Sequence, residues 1–359
     1  MLAFARGFPK KIFHRQALAL LGLMFVMSSS SAAQKGEFIF EEAPFSSCHA
    51  STLVELRNGD LLAAWFGGTH EGSRNVAIWS SFRSAGHWSA PVELVREKNT
   101  PTWNPVLFHT KDGRLWLYYK FGTGPRAWKA ARRWSDDEGK SWSPPERLPR
   151  GILGPIRAKP LVLEDGTVVS GSSVESDHYW NVWIERSTDN GKTWKKSGPI
   201  TVPASPSAEN AKISSDEPYG IIQPSIVSLG GEHLRLYARS SPHIGRICVA
   251  DSFDNGEAWS HARPIDLPNP DSGIDGIRLL DSRIVLIFNN SRTERTPLNL
   301  AISKDGEHFR VFSTLEDTPG EYSYPAIILG KNGAIHITYT WNRKRIRYVS
   351  LPASQIPEE

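Results

Sequence analysis

The sequence predicts an all-β protein, a six-bladed β-propeller of four-stranded antiparallel blades. Two interleaved repeats and a composition rich in turn formers carry that expectation. The first repeat is Ser-x-Asp-x-Gly-x-x-Trp, complete in SDDEGKSW (135–142), STDNGKTW (187–194) and SFDNGEAW (252–259). A shortened copy, SKDGEHF, begins at Ser303, and SFRSAGHW at Ser81 has lost its aspartate. The copies fall about fifty to sixty-five residues apart, a period that belongs to repeat architectures. The 29 glycines and 25 prolines among 359 residues suit many short strands joined by turns.

The second repeat lies between copies of the first, and each unit is a strand, a tight turn and another strand. The units are HASTLVELRNGDLLAAW, NPVLFHTKDGRLWLYY, KPLVLEDGTVVSGSS, QPSIVSLGGEHLRLYARS, DGIRLLDSRIVLIFNNS and YPAIILGKNGAIHITYTW. They begin at His49, Asn104, Lys159, Gln223, Asp275 and Tyr324. Six units, each followed by further short strands and a tryptophan turn, describe six blades. The last unit is short of strands, so residues 36–45 (GEFIFEEAPF) are expected to complete it. Within each tryptophan turn the aspartate accepts backbone N–H bonds and the glycine takes a positive φ. The tryptophan folds back over the edge between neighbouring sheets, so these residues are structural.

Residues 1–34 read as an export signal. Arg6, Lys10, Lys11 and Arg15 precede the apolar run ALALLGLMFVM (17–27), and SSSSAA offers small residues for cleavage near Ala33. The apolar run is too short for a comfortable membrane span. The expected product is a single propeller domain, residues 35–359, periplasmic or secreted, with no stable membrane insertion and a closed ring that suits a monomer. Its only cysteines, Cys48 and Cys248, fall in different repeat units and are expected to be buried and unpaired. The formal charge of +4 includes no basic run beyond the N-terminus, which argues against nucleic acid and suits an anionic substrate. No metal-ligand spacing is visible, and no cofactor is expected.

In a propeller the innermost strands begin at one mouth of the central channel. His49, Asn104, Lys159, Gln223, Asp275 and the pair Tyr322/Tyr324 are therefore expected to ring one cavity. Each also reads as an ordinary packing residue. Trp103, beside Asn104, is a candidate sugar-stacking face.

The tryptophan turns resemble the Asp-boxes of sialidases and other proteins with bacterial neuraminidase repeats, over essentially residues 37–350. That resemblance implies three arginines holding a substrate carboxylate, a tyrosine nucleophile assisted by a glutamate, and an aspartate acid from a first-blade loop. LRLYARS places Arg239 at the second arginine, and SRTERTPLNLAISKDG places Arg295 at the third, with Arg292 as its neighbour. GEYSYPAIILGKNG resembles the segment of the nucleophile, and Tyr322 in the Tyr-Ser pair fits best, with Tyr324 second.

Two positions depart from the pattern. His49 stands where the first arginine is expected, and Gln223 where the glutamate is. A glutamine cannot accept a proton as a base does. Glu175 or Glu321 could take that part, and Glu71 in FGGTHEGSRNVAIW is the candidate acid, followed by His49. Two arginines with Lys159 could still grip an acidic sugar. The expected function is an exported exo-glycosidase releasing a terminal sialic or related ulosonic acid from a glycan. The alternatives are a polysaccharide lyase using His49 and Tyr322, and a carbohydrate-binding propeller without turnover.

Overall fold

The computed structural model describes residues 1–2, 7, 36–203 and 218–358. The expected export signal lies outside the described residues but for three positions. The regular elements are β-strands, apart from two 3-10 turns of three residues each. They pair into five sheets of four or more strands.

Each sheet is built of up-and-down antiparallel meanders, the arrangement that short turns between consecutive strands impose. The first meander runs Ser47–Glu55, Leu61–Gly68 and Ala77–Ser84. The second runs Thr102–His109, Leu115–Phe121, Lys129–Ser135 and Glu146–Arg147. An eight-stranded sheet joins the third meander, begun by Leu161–Val162, to the fourth, begun by Tyr219–Gly230. The two pair through a short parallel ladder, Tyr179 with Tyr219 and Trp180 with Gly220. The fifth begins at Asp275–Arg278, and the last comprises Tyr322–Leu329, Ile335–Trp341 and Arg345–Leu351. Glu37–Phe38 adds to the outer strand of that last meander, pairing with Tyr348 and Arg347, as the composition of residues 36–45 suggests.

The core lies between sheets. Six apolar clusters form it, each shared by two meanders that follow one another in the chain or, in one case, by the last and the first. Leu62 and Ile78 meet Leu107 and Leu117 between the first and second meanders. Leu53 and Trp65 meet Ile346 and Tyr348 between the first and last. Inner strands are covered on both faces, which is why Leu61–Gly68 is buried throughout and reads as an apolar run rather than an alternation. Cys48 and Cys248 are unpaired and buried, as expected, and burial pushes the Cys248 thiol up to about 12.

The tryptophan turns are built alike. Ser135, Ser187 and Ser252 each accept a bond from the turn glycine N–H at 2.7, 2.7 and 2.8 Å. The same hydroxyls donate to Asp137, Asp189 and Asp254. Each tryptophan indole donates to its glycine carbonyl at 2.9 to 3.1 Å. The turn of one meander also locks onto the meander before it. Gly191, at φ 79, accepts from the Arg132 guanidinium at 2.5 Å, and a Cβ there would lie 2.5 Å from the Tyr118 hydroxyl. The shortened copy does the same, with Gly306 accepting from Tyr237 at 2.6 Å.

Ser187→Ala removes one donor and leaves the buried Gly191 N–H without its acceptor, which costs about 1–2 kcal/mol. Urea unfolding is expected to show a lower midpoint with an unchanged slope. Activity per folded molecule should be untouched, because the turn carries structure alone.

Candidate active site

Four inner strands carry the same backbone irregularity near their start. Pairing slips between His49 and Thr52, Trp103 and Val106, Ile222 and Ser225, and Ser323 and Ala326. At each slip one residue sits at positive φ: Ala50 at 55°, Asn104 at 34°, Gln223 at 53° and Tyr324 at 51°. This is a β-bulge, an extra residue that re-aims its side chain and shifts the alternation of the strand beyond it. Side chains other than glycine take this conformation at a cost of about 1–2 kcal/mol, and such positions gather at functional sites. The equivalent of Asn104, Gln223 and Tyr324 is therefore Ala50, with His49 one residue earlier.

The bulge reverses the expected roles of the two tyrosines. Without it Tyr322 and Tyr324 would share a face. With it, Tyr322 shares a face with Ile327 and packs among Ile287, Leu298 and Tyr339, its hydroxyl 2.7 Å from Thr318 Oγ1. Tyr322 is thus a core residue, which corrects its assignment as the reacting phenol. Tyr324 instead lies among arginines. Arg157, Arg239 and Arg295 place their guanidinium carbons 5.3, 5.7 and 5.7 Å from its ring centre. Arg239 Nη1 donates to the Tyr324 hydroxyl at 2.6 Å and to Gln223 Oε1 at 3.2 Å, while Gln223 Nε2 lies 3.3 Å from the same hydroxyl. The His49 ring is 4.1 Å from the Tyr324 ring, and its Nδ1 lies 3.0 Å from Thr340 Oγ1.

Acidic partners hold the arginines in place. Asp271 accepts from Arg239 Nε at 2.6 Å, and its backbone carbonyl from Arg295 at 3.1 Å. Glu321 is shared by Arg295 at 3.0 Å and Arg343 Nε at 2.6 Å. Arg343 also pairs with Glu71, so the candidate acid sits at the rim as a half of an ion pair. Arg239 Nη2 and Arg343 Nη2 make no hydrogen bond among the described residues, leaving donors for an anion. Arg157 is buried, donates to the carbonyls of Ile274 and Pro325, and leaves its Nε buried without a partner.

Several expected binding residues are committed elsewhere. Asp275 is buried, and its carboxylate takes Lys159 Nζ at 3.0 Å, Ser225 Oγ at 2.7 Å and the N–H of Ile327 at 3.0 Å. Lys159 and Asp275 therefore clamp four meanders to one another instead of holding a ligand. Asn104 donates to the Ile156 carbonyl at 3.2 Å, fastening the segment that carries Arg157. Trp103 is buried against Phe66 and Trp128, its indole donating to Gly122, so it packs and offers no sugar-stacking face. Arg292 is exposed beside Gly245, outside the cluster. Arg157, Arg343 and Asp271 join the cluster unannounced by any repeat. Trp180 also borders it, its ring 5.5 Å from the Arg239 guanidinium.

Burial and charge set protonation here. Burial first, and then Arg343, Arg295, Arg157 and Arg239, hold the His49 imidazole well below its ordinary range, so it is neutral. Burial pushes the Glu175 carboxyl up; Arg239 opposes that shift and Asp271 adds to it. Burial also acts to raise Glu321, but Arg343 and Arg295 outweigh it and hold this carboxyl below its usual range.

A buried neutral histidine gains a proton on unfolding once the pH falls below about 6.5, its value in an open chain. Its contribution to stability is complete above that pH and is lost below it. His49→Gln is expected to flatten the decline of unfolding free energy below pH 6.5 by up to about 1.4 kcal/mol per pH unit. His109 and His336 are also depressed, but they remain in both proteins and cancel. Denaturant titrations between pH 5 and 8 measure the difference.

Comparison with known proteins places this geometry. Residues 59–337 match the BNR repeat-like domain family. The NanB sialidase of Streptococcus pneumoniae superposes with a TM-score of 0.72 at 16% identity, covering 90% of this chain and 71% of that one. A protein of unknown function from Dyadobacter fermentans gives 0.72 at 18%, covering 88% and 97%. The intramolecular trans-sialidase of Ruminococcus gnavus gives 0.69 at 15%, covering 92% and 100%. No curated protein sequence matches. Identities this low speak for the fold alone, which is that of sialidase propellers. The family match spans well over half of the sequence and all the complete tryptophan turns: the chain belongs to the BNR repeat-like domain family.

Proposed function

We propose that the protein is an exported exo-glycosidase that hydrolyses a terminal acidic sugar, a sialic acid or a related ulosonic acid, from a glycan. The six meanders are read as six blades of a closed ring, with Glu37–Phe38 completing the last. The observation that carries the reading is the trio Arg157, Arg239 and Arg295 facing the Tyr324 ring. Planar guanidinium groups hold a carboxylate through paired, charge-assisted bonds, and they would seat an acidic sugar against the phenol.

Tyr324 then replaces Tyr322 as the nucleophile. A neutral phenol avoids charge repulsion where the anomeric carbon bears a carboxylate. Arg239 and Gln223 point donors at its oxygen. Neutral His49, packed on the ring, takes the phenol's proton as the oxygen bonds to the anomeric carbon. The glycosidic C–O bond breaks, and Glu175, whose carboxyl holds its proton more readily than usual, protonates the departing oxygen. Water then attacks the anomeric carbon and gives a proton to the Glu175 carboxylate, while the bond from that carbon to the Tyr324 oxygen breaks and the phenolate takes its proton back from His49. Residues 1–34 direct export, and the substrate lies outside the cytoplasm.

One observation favours a second reading. No carboxylate is bonded to the Tyr324 hydroxyl among the described residues, whereas a neutral histidine lies against its ring. A lyase would use that pair to abstract the proton beside a uronate carboxylate.

Tyr324→Phe is expected to lower turnover by about three orders of magnitude or more, with Tyr322→Phe close to wild type. Release of free ulosonic acid from sialylated glycans and lipopolysaccharide, offered side by side, is the measurement. A new ultraviolet-absorbing double bond in the product would select the lyase. Full activity in Tyr324→Phe would remove this phenol from the mechanism.

A further inference from the structure

A cleft of about 900 Å³ opens between the second and third meanders, and of its lining the reaction proposed above uses Glu175 alone. Its floor and walls combine Phe121 and Trp128 with Arg126, Lys129, Arg147 and Arg150. Lys196 adds a fifth cation, and Glu175 is the only carboxylate lining it among the described residues. Part of that charge is already matched: Arg126 pairs with Asp177, Arg147 with Glu97, and Lys196 with Glu185. Lys129 and Arg150 are exposed and form no ion pair among the described residues. A cleft of this size falls in the range that buries a ligand of a few rings.

The cleft adjoins a second, smaller one. Pro125, Arg126 and Glu175 also line a smaller cleft of about 270 Å³ that extends to Trp180 and Pro218. The Trp180 ring lies under the Arg239 guanidinium, which donates to Tyr324. A chain of neighbouring side chains thus leads from the phenol through Arg239 and Trp180 to Glu175, which lines both clefts. Along it, aromatic faces alternate with cations, which is the arrangement that binds sugar rings bearing carboxylates. Trp128 presents a half-buried ring whose indole N–H is buried without a partner, a donor left over by the fold.

We propose that this cleft binds further acidic sugars of the same chain, so that the substrate is a carboxylate-bearing polysaccharide with several charged units. A lone acidic sugar capping a neutral glycan would leave the cleft empty. The proposal rests on the carbohydrate reading of the Tyr324 pocket, but not on turnover there.

The test is therefore a binding measurement on the full mature chain carrying Tyr324→Phe, which bears no turnover. Affinity electrophoresis through polysialic acid, polygalacturonate, dextran sulfate and dextran gives a dissociation constant for each polymer. Lys129→Ala/Arg150→Ala is expected to weaken binding to a carboxylated polymer roughly tenfold. A control pair on the tryptophan turns, Lys140→Ala/Lys192→Ala, removes the same charge elsewhere and is expected to change binding less than about twofold.

Several results would overturn the proposal: no retention by either carboxylated polymer, retention by dextran sulfate only, or equal losses in the two variant pairs. A cleft-dependent loss of binding in a protein whose wild type hydrolyses nothing would reject the glycosidase chemistry and keep the cleft. Hydrolysis of short sialosides with no cleft-dependent binding would do the reverse.

Discussion

The pocket depends on one backbone constraint, the left-handed residue inserted near the start of the inner strands. An inner strand covered on both faces has no freedom to point a polar side chain anywhere but into an apolar layer. A bulge releases it. At Ala50, Asn104, Gln223 and Tyr324 the chain turns once through positive φ, and the side chain leaves the alternation of its strand. The strand beyond resumes with its apolar set correctly placed. The cost in backbone strain recurs in four strands and is met by the apolar clusters that clamp each strand from both sides.

The charges of the pocket follow a related logic. Four guanidinium groups near one phenol would repel one another strongly at low dielectric. Asp271 and Glu321 lie between them, each bridging or fixing more than one arginine. Deeper in, Asp275 binds Lys159, Ser225 and the Ile327 amide, drawing the third, fourth and last meanders onto one carboxylate. Polar residues at equivalent strand starts have thus divided into two tasks. Some gather around the Tyr324 phenol, and some tie the meanders to one another.

Strand content, turn positions and the order of the meanders were legible because they depend on local chemistry, on glycine and aspartate at fixed spacing and on apolar runs between them. The strand starts were legible as a set, and Arg239 and Arg295 were identified before their surroundings were known. The choice between Tyr322 and Tyr324 was not legible by counting alternate residues, because a bulge breaks the count. A signal existed all the same. Asn104, Gln223 and Tyr324 each precede a proline, which has no N–H for the ladder and is admitted to inner strands at such irregularities. Arg157 and Arg343 were missed for a different reason. Each lies in a connecting segment, where an arginine reads as solvated until long-range packing turns it inward.

Closure of the last meander by Glu37–Phe38 bears on when the pocket exists at all. His49 meets Thr340 across 291 positions of sequence, and Tyr324 and Arg343 belong to the final meander that the early strand completes. Bringing such distant segments together carries a loop-closure entropy that no nearby contact offsets in advance. The five earlier meanders can stack as they are made, each on its predecessor. The cluster of phenol, imidazole and guanidinium groups cannot form until both ends of the fold have met. The pocket is therefore a report on complete assembly: a chain that stops short of its last strands holds most of the scaffold and lacks Tyr324 and Arg343.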